Sequence, residues 1–458
     1  MKVLLVRPQA PNLLSFTKIL DNEPLDLEYL YTALKEKGIT SVIFDGLISN
    51  DFEETLERER PDVLSVTGYI TQQNLMIRFC ELAKKYNPQT ATIVGGVHAQ
   101  LNYKSFYCDW VDYVFRSESP VDYAGLVSLV GGGRAKGGPG LDDINELGGI
   151  NGLCYRVKGE YRENPLSPVD INSLPIPDRS FFYGNRQHFR YLELTEVASI
   201  KTAFSCPYDC NFCYCTLLGG GSYQPRDLDL VIEELAGIDA ANIQIVDDDF
   251  LVDPKRLWRF IGLVKEKQIK KTYICYARAD FICENPDIVR ALAEIGFRYF
   301  LVGLEAVTDA ELAGMNKKTS VDMNRRCLEI IGETTAQCIG LMIAPLDADK
   351  AYFENLYNWI VKAGLQYVTV SIFTPIPGTP LYEEYKNRIT STDIVDWDFL
   401  HLVVEPAKLS RREFYREYRR LFLRLYKIAR KAGIYDFMDL AFYRNMLMDY
   451  LTRKIGGR

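Results

Sequence analysis

The sequence predicts an α/β protein with two strand–helix units and a helical region after them. Short apolar runs alternate with helix-like patterns over residues 1–130 and again over 196–385, a glycine-rich stretch separates the two series, and amphipathic helical periodicity follows in 386–458. We therefore expect a doubly wound N-terminal domain, a glycine-rich linker and connector over 131–195, a partial (β/α)6 barrel and a C-terminal helical region.

Length and composition place the chain among folded globular proteins. Its 458 residues exceed what one core usually supports, and 47% hydrophobic with 25% charged residues excludes wholesale disorder. A net charge of −7 argues against a general nucleic-acid binder. We expect no signal peptide, no membrane span and a cytoplasmic location. The eleven cysteines are then expected as reduced thiols and metal ligands.

The first unit repeats short apolar runs of the kind found in parallel strands buried on both faces. A helix with apolar positions at Leu27, Leu30 and Leu34 precedes Gly38, which can end it. A second helix is expected over 74–85. The predicted strands cover residues 2–7, 41–45, 63–68, 91–95 and 112–116.

Glycine and small polar residues collect after these strands, where ligands bind in doubly wound sheets. Gly95 and Gly96 would let the backbone approach a large ligand, but they also suit a tight strand–helix turn. His98 could face such a ligand or close the turn. The candidate binding residues are Thr67, Gly68, Tyr69, Gly95, Gly96, His98, Ser117 and Glu118.

The connector begins with the flexible glycine-rich stretch 131–140. A small hairpin is expected over 152–161, with its turn at Lys158 and Gly159. Residues 173–178 contain two prolines and predict extended chain.

Three cysteines with the spacing C-x3-C-x2-C, Cys206, Cys210 and Cys213, follow an apolar run at 198–204 that predicts one strand. Thiolates suit iron–sulfur clusters, and a cubane has four irons, so one iron would lack a protein thiolate. A zinc site missing a ligand and a chance group of buried thiols are the alternatives. No second cysteine pair or nearby histidine supports zinc. Cys215 would have to double back and is left out of the site.

The second unit is expected to contain about six strand–helix repeats, which suits a partial (β/α) barrel with its active site at the carboxyl ends of the strands. The first strand is the one that precedes the cysteines. The other predicted strands cover 243–250, 272–276, 299–304, 338–344 and 367–373, with helices at 254–265, 286–295 and 323–332.

Charged residues follow two of these strands. Asp247, Asp248 and Asp249 are adjacent carboxylates that repel each other unless a cation or donor lies nearby, although one can cap the next helix. Arg278 could bind a ligand carboxylate through two hydrogen bonds, or pair with Asp280.

The C-terminal region contains a basic amphipathic helix. Arginine and lysine residues lie between apolar positions from Phe414 to Ile428. The basic face could bind a membrane surface or an anionic substrate. Packing of the apolar stripe on the chain's own domain is the favoured explanation.

Together these motifs resemble the cobalamin-dependent radical S-adenosylmethionine (SAM) enzymes. The resemblance covers nearly the whole chain: the cysteine motif, with Phe212 before its last cysteine, follows a flavodoxin-like, cobalamin-binding-like domain with a Gly-Gly-x-His turn. It implies that Cys206, Cys210 and Cys213 bind a [4Fe–4S] cluster and that SAM binds the fourth iron. One electron would then cleave SAM to a 5′-deoxyadenosyl radical, which takes hydrogen from a substrate carbon.

The resemblance also implies which residues contact the cofactors. Cobalamin would lie on the strand-end residues of the first domain. The loop at 9–14 has no histidine, so a bound corrinoid would lack a histidine ligand, and a domain that binds no corrinoid stays open. The superfamily's Gly-Gly-Glu is replaced by three aspartates. The implied SAM contacts are Phe212, Asp247, Asp248, Arg278, Glu305, Gly340, Met342 and Phe373.

We therefore predict a radical SAM enzyme that performs methylcobalamin-dependent C-methylation of a small-molecule or peptide substrate. A flavodoxin or ferredoxin would supply its electrons. The first alternative is a radical SAM cyclase, carbon–carbon coupling enzyme or rearrangement enzyme whose cobalamin-like domain transfers no methyl group. The second is a non-enzymatic iron–sulfur electron carrier or sensor.

Overall fold

The computed structural model describes residues 1–9, 20–131 and 141–438, together with Arg444. The loop at 10–14 and residues 132–140 of the glycine-rich stretch lie outside the described residues. The strands are β1 (Lys2–Arg7), β2 (Leu20–Asp21), β3 (Thr40–Asp45), β4 (Val63–Thr67), β5 (Ala91–Gly95), β6 (Tyr113–Phe115), β7 (Leu153–Val157), β8 (Glu160–Glu163), β9 (Arg190–Tyr191), β10 (Leu194–Thr195), β11 (Val197–Ile200), β12 (Ala203–Phe204), β13 (Gln224–Pro225), β14 (Asn242–Ile245), β15 (Thr272–Ala277), β16 (Phe297–Glu305), β17 (Gln337–Ala344) and β18 (Tyr367–Ile372).

The α-helices occupy most of the intervals between these strands. They are α1 (Leu25–Glu36), α2 (Phe52–Glu59), α3 (Gln73–Tyr86), α4 (Val97–Asn102), α5 (Pro120–Val130), α6 (Leu141–Gly148), α7 (Ser180–Asn185), α8 (Leu228–Gly237), α9 (Pro254–Glu266), α10 (Ala279–Glu284), α11 (Pro286–Glu294), α12 (Asp309–Gly314), α13 (Val321–Gly332), α14 (Lys350–Lys362), α15 (Pro380–Tyr385) and α16 (Arg411–Lys431). In the described part of the chain, none is both long and apolar enough to cross a lipid bilayer.

The first domain is a doubly wound sheet, as predicted. Its parallel strands lie in the order β3-β1-β4-β5-β6, which is the flavodoxin-like order. Successive residues of β1 face opposite sides: Val3 packs in the cluster that contains α1 and α5, and Leu4 in the cluster that contains α2 and α3. Helix α2 was not predicted from the sequence, because only two of its large side chains, Phe52 and Leu56, are apolar and buried.

The predicted hairpin at 152–161 forms strands β7 and β8. Its turn residues Lys158 and Gly159 have positive φ angles of 52° and 88°, as a tight hairpin turn requires. The hairpin pairs antiparallel with β6, so the first sheet has seven strands and extends to Glu163, within the stretch that the sequence assigns to the connector.

The second domain is a six-stranded parallel sheet in the sequential order β11-β14-β15-β16-β17-β18, which matches the predicted number of strand–helix units. Closure into a partial barrel stays a prediction. One face packs against the helices, and the inner face carries the apolar residues Val197, Ile274, Tyr299, Leu301 and Ile339.

Two strand predictions in this domain were too long. Residues 198–204 form two strands, β11 and β12, because the Asp247 carboxylate accepts hydrogen bonds from the backbone N–H groups of Thr202 and Ala203 at 2.6 and 3.0 Å. The run at 243–250 leaves the sheet after Ile245. Asp247 therefore fixes the place where the chain leaves the sheet and enters the cysteine loop.

Helix α16 packs on its own domain, which confirms the favoured explanation of the basic tail. Ser410 and Glu413 form a capping box at its start. Phe414 and Leu421 are buried, and the Tyr418 hydroxyl donates to the Val370 carbonyl at 2.6 Å.

A buried network of charges joins the two domains and the connector. Arg179 of the connector donates to Glu23 of the first domain at 2.5 Å and to Glu234 of α8 at 2.7 Å. Arg226 also donates to Glu234, at 2.7 Å. The second carboxylate oxygen of Glu23 accepts from the backbone N–H of Ser199 on β11 at 2.5 Å. No side chain of the four charged residues is more than 4% exposed.

Replacing Arg179 with alanine leaves Glu23 and Glu234 without their common partner. Breaking a buried ion pair in this way costs about 3–5 kcal/mol, so we expect the free energy of unfolding to fall by that order. Urea titration followed by circular dichroism measures the loss. The control is Arg186→Ala, because Arg186 pairs with the more exposed Glu196 and Asp239 at 3.6 and 3.4 Å. It should cost no more than about 1 kcal/mol. Equal losses in the two variants would contradict the assignment.

Candidate active site

Cys206, Cys210 and Cys213 lie on one half-buried loop after β12. The loop begins with a sharp turn, since Ser205 has a φ of 60° and its hydroxyl donates to the Cys215 carbonyl at 3.1 Å. Within the loop, the Cys213 N–H donates to the Cys210 carbonyl at 3.2 Å. The short spacing in sequence therefore becomes a compact turn that presents all three sulfurs.

The loop is held in place by a segment that the sequence did not indicate, residues 314–318 after α12. The Asn211 backbone N–H donates to the Met315 carbonyl at 3.2 Å, and its side-chain amide donates to the Gly314 carbonyl at 2.8 Å. Lys318 forms an ion pair with Asp209 at 2.6 Å. These contacts fix the loop from outside.

Two cations lie beside Cys210. Arg278 donates to the Cys210 sulfur at 3.4 Å and stacks on Tyr208 with its guanidinium carbon 3.9 Å from the ring centroid. It also pairs with Asp280 at 2.7 Å, so the structure shows the Arg278–Asp280 pair that the sequence left open. Burial raises the pKa of the Cys210 thiol, while the charges of Lys317 and Arg278 act in the opposite direction. Both cations therefore favour a thiolate at this position.

Lys317 also explains the position of Glu305. Its ammonium group donates to the Glu305 carboxylate at 2.8 Å and lies 6.0 Å from the centroid of Phe212. Glu305 has a φ of 59° and interrupts the register with β17. No local sequence pattern singles out Lys317, because it follows α12 in an ordinary polar turn.

No group of three or more histidine, cysteine or carboxylate side chains in the described residues is arranged to hold one metal ion. A cubane cluster needs less convergence than a single ion, because each cysteine binds a different iron. Three half-buried thiols on one loop, with two cations beside them, fit such a cluster.

The three aspartates after β14 have different surroundings. The Asp247 carboxylate accepts hydrogen bonds from the backbone N–H groups of Thr202 and Ala203. Asp248 is half-buried and lies 3.9 Å from the Lys201 ammonium group. Asp249 is 2% exposed; one of its oxygens accepts from the Leu251 N–H at 3.1 Å and the other has no partner in the described structure. Burial raises the pKa of Asp249 to about 8.

The unpartnered oxygen of Asp249 fits a cationic ligand group, such as the ammonium of SAM. A buried carboxylate oxygen without a donor is costly, and an ammonium supplies both charge and donors. The sequence named Asp247 and Asp248 for this contact. Asp248 also keeps a buried oxygen without a hydrogen bond in the described structure, and Asp249 joins it as a candidate on the same ground.

The remaining candidate SAM residues lie at the second sheet. Gly340 and Met342 are on its helix-covered face: a Cβ at Gly340 would come within 2.5 Å of Leu365, and Met342 is 1% exposed in the core. Phe373 is buried against Tyr385, with ring centroids 5.3 Å apart. Leu341 and Ile343 occupy the alternate positions on β17 and are half-buried.

In the first domain, the turn after β5 is closely packed against the end of β4. Gly96 has a φ of 85°, and a Cβ there would lie 2.2 Å from the Thr67 hydroxyl. Thr67 donates to Asp26 at 3.0 Å. A Cβ at Gly68 would lie only 2.9 Å from Gln72 and from Met76, which is too close. A Cβ at Gly95 would lie 3.4 Å from its nearest atom and would meet no such clash.

His98 closes this turn. Its Nε2 lies 2.7 Å from the Gln73 amide oxygen, and its Nδ1 lies 3.3 Å from the Asn102 amide nitrogen, so both ring nitrogens have partners. Its ring is 3% exposed, and burial lowers its pKa to about 4. Of the two roles that the sequence left open, the structure supports the closing of the turn.

Ser117 and Glu118 follow the next strand, β6, and Glu118 reaches the turn after the cysteine loop. The Ser117 hydroxyl accepts from the Ser119 N–H at 3.2 Å. Burial raises the pKa of Glu118 to about 7, which the charge of Lys201 opposes. A Cβ at Gly219 would lie 2.7 Å from the Glu118 carboxylate, and the Gly219 N–H donates to Gln100 of α4 at 3.3 Å. The turn after the cysteines therefore rests on the first domain.

Tyr69, which follows β4, lies near charged residues of both domains. It is 58% exposed, yet the enclosing protein raises its pKa, as do Asp26 and Asp248, while Arg7 and Lys201 oppose them. Burial raises the pKa of Tyr276 to about 12, with a further contribution from Tyr69. Charged and aromatic residues at the candidate ends of both domains therefore lie near Tyr69. This fits a large cofactor shared by the domains.

Two protein-family models match separate segments of the chain. Residues 19–124 match the B12 binding domain, and residues 200–360 match the Radical SAM superfamily.

Similar proteins align over most of the chain. Hopanoid C-3 methylase from Methylococcus capsulatus is 27% identical over 91% of this chain and 78% of its own. Anaerobic magnesium-protoporphyrin IX monomethyl ester cyclase from Rubrivivax gelatinosus is 23% identical over 87% of this chain and 74% of its own. The solved structure of OxsB, a cobalamin-dependent SAM radical enzyme with aqua-cobalamin and SAM bound, has a TM-score of 0.72 at 15% identity. That match covers 91% of this chain and 66% of OxsB, and it concerns the fold.

Replacement of Cys206, Cys210 or Cys213 by alanine is expected to prevent assembly of a [4Fe–4S] cluster, because each substitution removes a thiolate that the cubane needs. Iron analysis and Mössbauer spectroscopy of anaerobically reconstituted protein measure the cluster. Cys215→Ala in the same loop is the matched control and should keep it. Cluster loss in Cys215→Ala, or a full cluster in any of the other three variants, would show that the ligand set is wrong.

The neutral, buried His98 predicts a pH effect on stability. The unfolded chain takes up a proton near pH 6.5, whereas the folded protein resists it down to about pH 4. Relative to His98→Gln, the free energy of unfolding should fall by about 3 kcal/mol as the pH drops from 6.5 to 4, and no further below that. Urea titrations of cofactor-free protein at several pH values measure it. Parallel pH profiles for the two proteins would contradict the prediction.

Proposed function

The chain belongs to the cobalamin-dependent radical SAM enzymes, and on that premise we propose that it methylates an unactivated carbon of a largely apolar small molecule. The observation that carries the proposal is the meeting of two candidate cofactor sites, the cysteine loop and the strand ends of the B12-binding domain, through the contacts of Gly219 with Gln100 and Glu118. Bound there, a [4Fe–4S] cluster, SAM and cobalamin supply the radical chemistry and the methyl group.

The residues of the chain position these groups. Cys206, Cys210 and Cys213 hold the cluster, and Arg278 and Lys317 place positive charge beside it. Asp249 and Asp248 orient the ammonium group of SAM. Since the chemistry belongs to the cofactors, these residues act by binding, orientation and exclusion of water.

The two domains keep the reacting groups together. Glu118 and Gln100 contact the turn that follows the cysteines, and Lys201 of the second domain lies near enough to Tyr69 of the first for its charge to oppose the rise in the pKa of Tyr69. The radical must react with one carbon of the substrate and with no other group. A site enclosed by both domains meets this requirement better than either domain alone.

The inner face of the second sheet and the relatives support the proposed class of substrate. Apolar and aromatic side chains dominate the inner face of the second sheet. The methylase relative is named for hopanoids and the cyclase relative for magnesium-protoporphyrin monomethyl ester, both large and largely apolar molecules. The cyclase relative also supports a second candidate function, in which the same radical chemistry forms a ring in the substrate.

We place the enzyme in the reducing cytoplasm, with a flavodoxin or ferredoxin as electron donor. All eleven cysteines are free thiols in the structure, which supports a reducing compartment.

Anaerobic reconstitution with iron, sulfide and cobalamin tests the activity. With dithionite and SAM, the enzyme should release 5′-deoxyadenosine, and with methyl-deuterated SAM and a substrate it should form S-adenosylhomocysteine and a deuterated product. Release of 5′-deoxyadenosine with an unlabelled, cyclised product would support the ring-forming function instead. No release from cluster-loaded protein would refute both.

Asp249 and Asp247 offer a matched pair of variants. We expect Asp249→Asn to weaken SAM binding by on the order of tenfold to a hundredfold, because a charge-assisted hydrogen bond is lost. Asp247→Asn should mainly lower the melting temperature, because its carboxylate fastens Thr202 and Ala203. Equilibrium dialysis with radiolabelled SAM and thermal melts measure the two effects. Equal SAM affinity in wild type and Asp249→Asn would remove Asp249 from the site.

A further inference from the structure

Two buried polar side chains, Ser199 and Gln244, lie on adjacent strands of the second sheet. Each has one oxygen atom without a hydrogen-bond partner in the described structure. Ser199 on β11 and Gln244 on β14 are paired in the parallel register and are 1% and 3% exposed. In the described structure, neither the Ser199 hydroxyl nor the Gln244 amide oxygen has a hydrogen-bond partner. Adjacent strands lie about 4.8 Å apart, so the two side chains are neighbours.

Both side chains belong to the inner face of the sheet. Their neighbours in sequence, among them Ala198 and Ile243, pack in the core between the sheet and its helices. Side chains alternate between the two faces of a strand, so Ser199 and Gln244 must lie on the opposite face. That face ends at the rim where the candidate cofactor residues lie.

An unsatisfied buried polar group costs about 1–3 kcal/mol, and native proteins keep few of them. Two on adjacent strands, facing the same interior, therefore need a common explanation. A ligand that supplies one hydrogen-bonding group between them would satisfy both.

The surroundings define that ligand. Toward the amino ends of the strands, the inner face is apolar, with Val197, Ile274 and Leu301. Toward the rim, Lys201 donates to the Val246 carbonyl at 3.0 Å and faces Asp248, so its charge is already engaged. Across the face, Leu341 is half-buried and Thr369 is exposed, which leaves access from β17 and β18.

We propose that Ser199 and Gln244 bind an alcohol group of the substrate, whose remaining skeleton is apolar. The proposal rests on the proposed function, because it assigns the substrate of that same site. An alcohol matches the pair: its O–H donates to the Gln244 amide oxygen, and its oxygen accepts from the Ser199 hydroxyl. Neither side chain carries a charge, so an anionic group gains no ion pair from them.

Two bicyclic probes test the assignment with the cofactor-loaded enzyme. Decahydro-2-naphthol and decalin have the same carbon skeleton, and only the first carries a hydroxyl group. By equilibrium dialysis under nitrogen, wild type should bind the alcohol at least about tenfold more tightly than the hydrocarbon, because a site built for a hydroxyl rejects an analogue that lacks it. Ser199→Ala and Gln244→Leu should lose that preference.

Tyr273→Phe is the matched control. It removes another unpartnered buried hydroxyl of the same sheet, on the helix-covered face, and should keep the preference for the alcohol. No preference in wild type, or a preference that survives both inner-face substitutions, would overturn the proposal and leave buried water as the partner of the pair.

Melting temperatures and SAM cleavage complete the test. Without probe, Gln244→Leu should melt at or above the wild-type temperature, because an unsatisfied group is removed. A fall of several degrees would show that the amide is bonded within the folded protein, and would overturn the proposal. Release of 5′-deoxyadenosine by wild type is scored separately: its absence with the alcohol preference intact refutes the proposed function alone.

Discussion

The relative placement of the two domains depends on the buried charges of Glu23, Arg179, Glu234 and Arg226. Each carboxylate lies against a guanidinium group in an environment that excludes water, so removal of Arg179 leaves Glu23 unpaired and removal of Glu234 leaves Arg226 unpaired. Glu23 also binds the backbone of β11, the strand that leads to the cysteine loop. The network therefore sets where the strand ends of the first domain lie relative to the cysteines.

Within the site, the two cations are paired with carboxylates, whereas other carboxylate oxygens have no hydrogen-bond partner in the described structure. The guanidinium of Arg278 and the ammonium of Lys317 lie beside the cysteine loop, and each is neutralised by a carboxylate on its far side, Asp280 and Glu305. In the described residues, Asp248 and Asp249 each keep one buried oxygen without a hydrogen-bond partner, and the Lys201 ammonium group is 3.9 Å from that of Asp248. A site with paired cations and carboxylate oxygens left open is suited to a ligand that brings its own positive charge.

The fold was predictable because both sheets are built from short apolar runs with glycine or polar turns between them. The cysteine motif was predictable because its ligands are close in sequence. The Lys317–Glu305 contact and the unpartnered oxygen of Asp249 were not, since both depend on how distant segments pack. The same holds for the faces of β17: when a strand is buried on both sides, its apolar run does not tell which residues, such as Met342 or Leu341, face the interior.

The contact of Gly219 with Gln100 and Glu118 limits how freely the two halves could be recombined during evolution. The turn that follows the cysteine loop contacts side chains of the other half, and a side chain at Gly219 would collide with Glu118. A chimaera that takes its N-terminal half from a distant homologue would lose this fit. The halves of this protein are separate in topology, but they must be inherited as a matched pair.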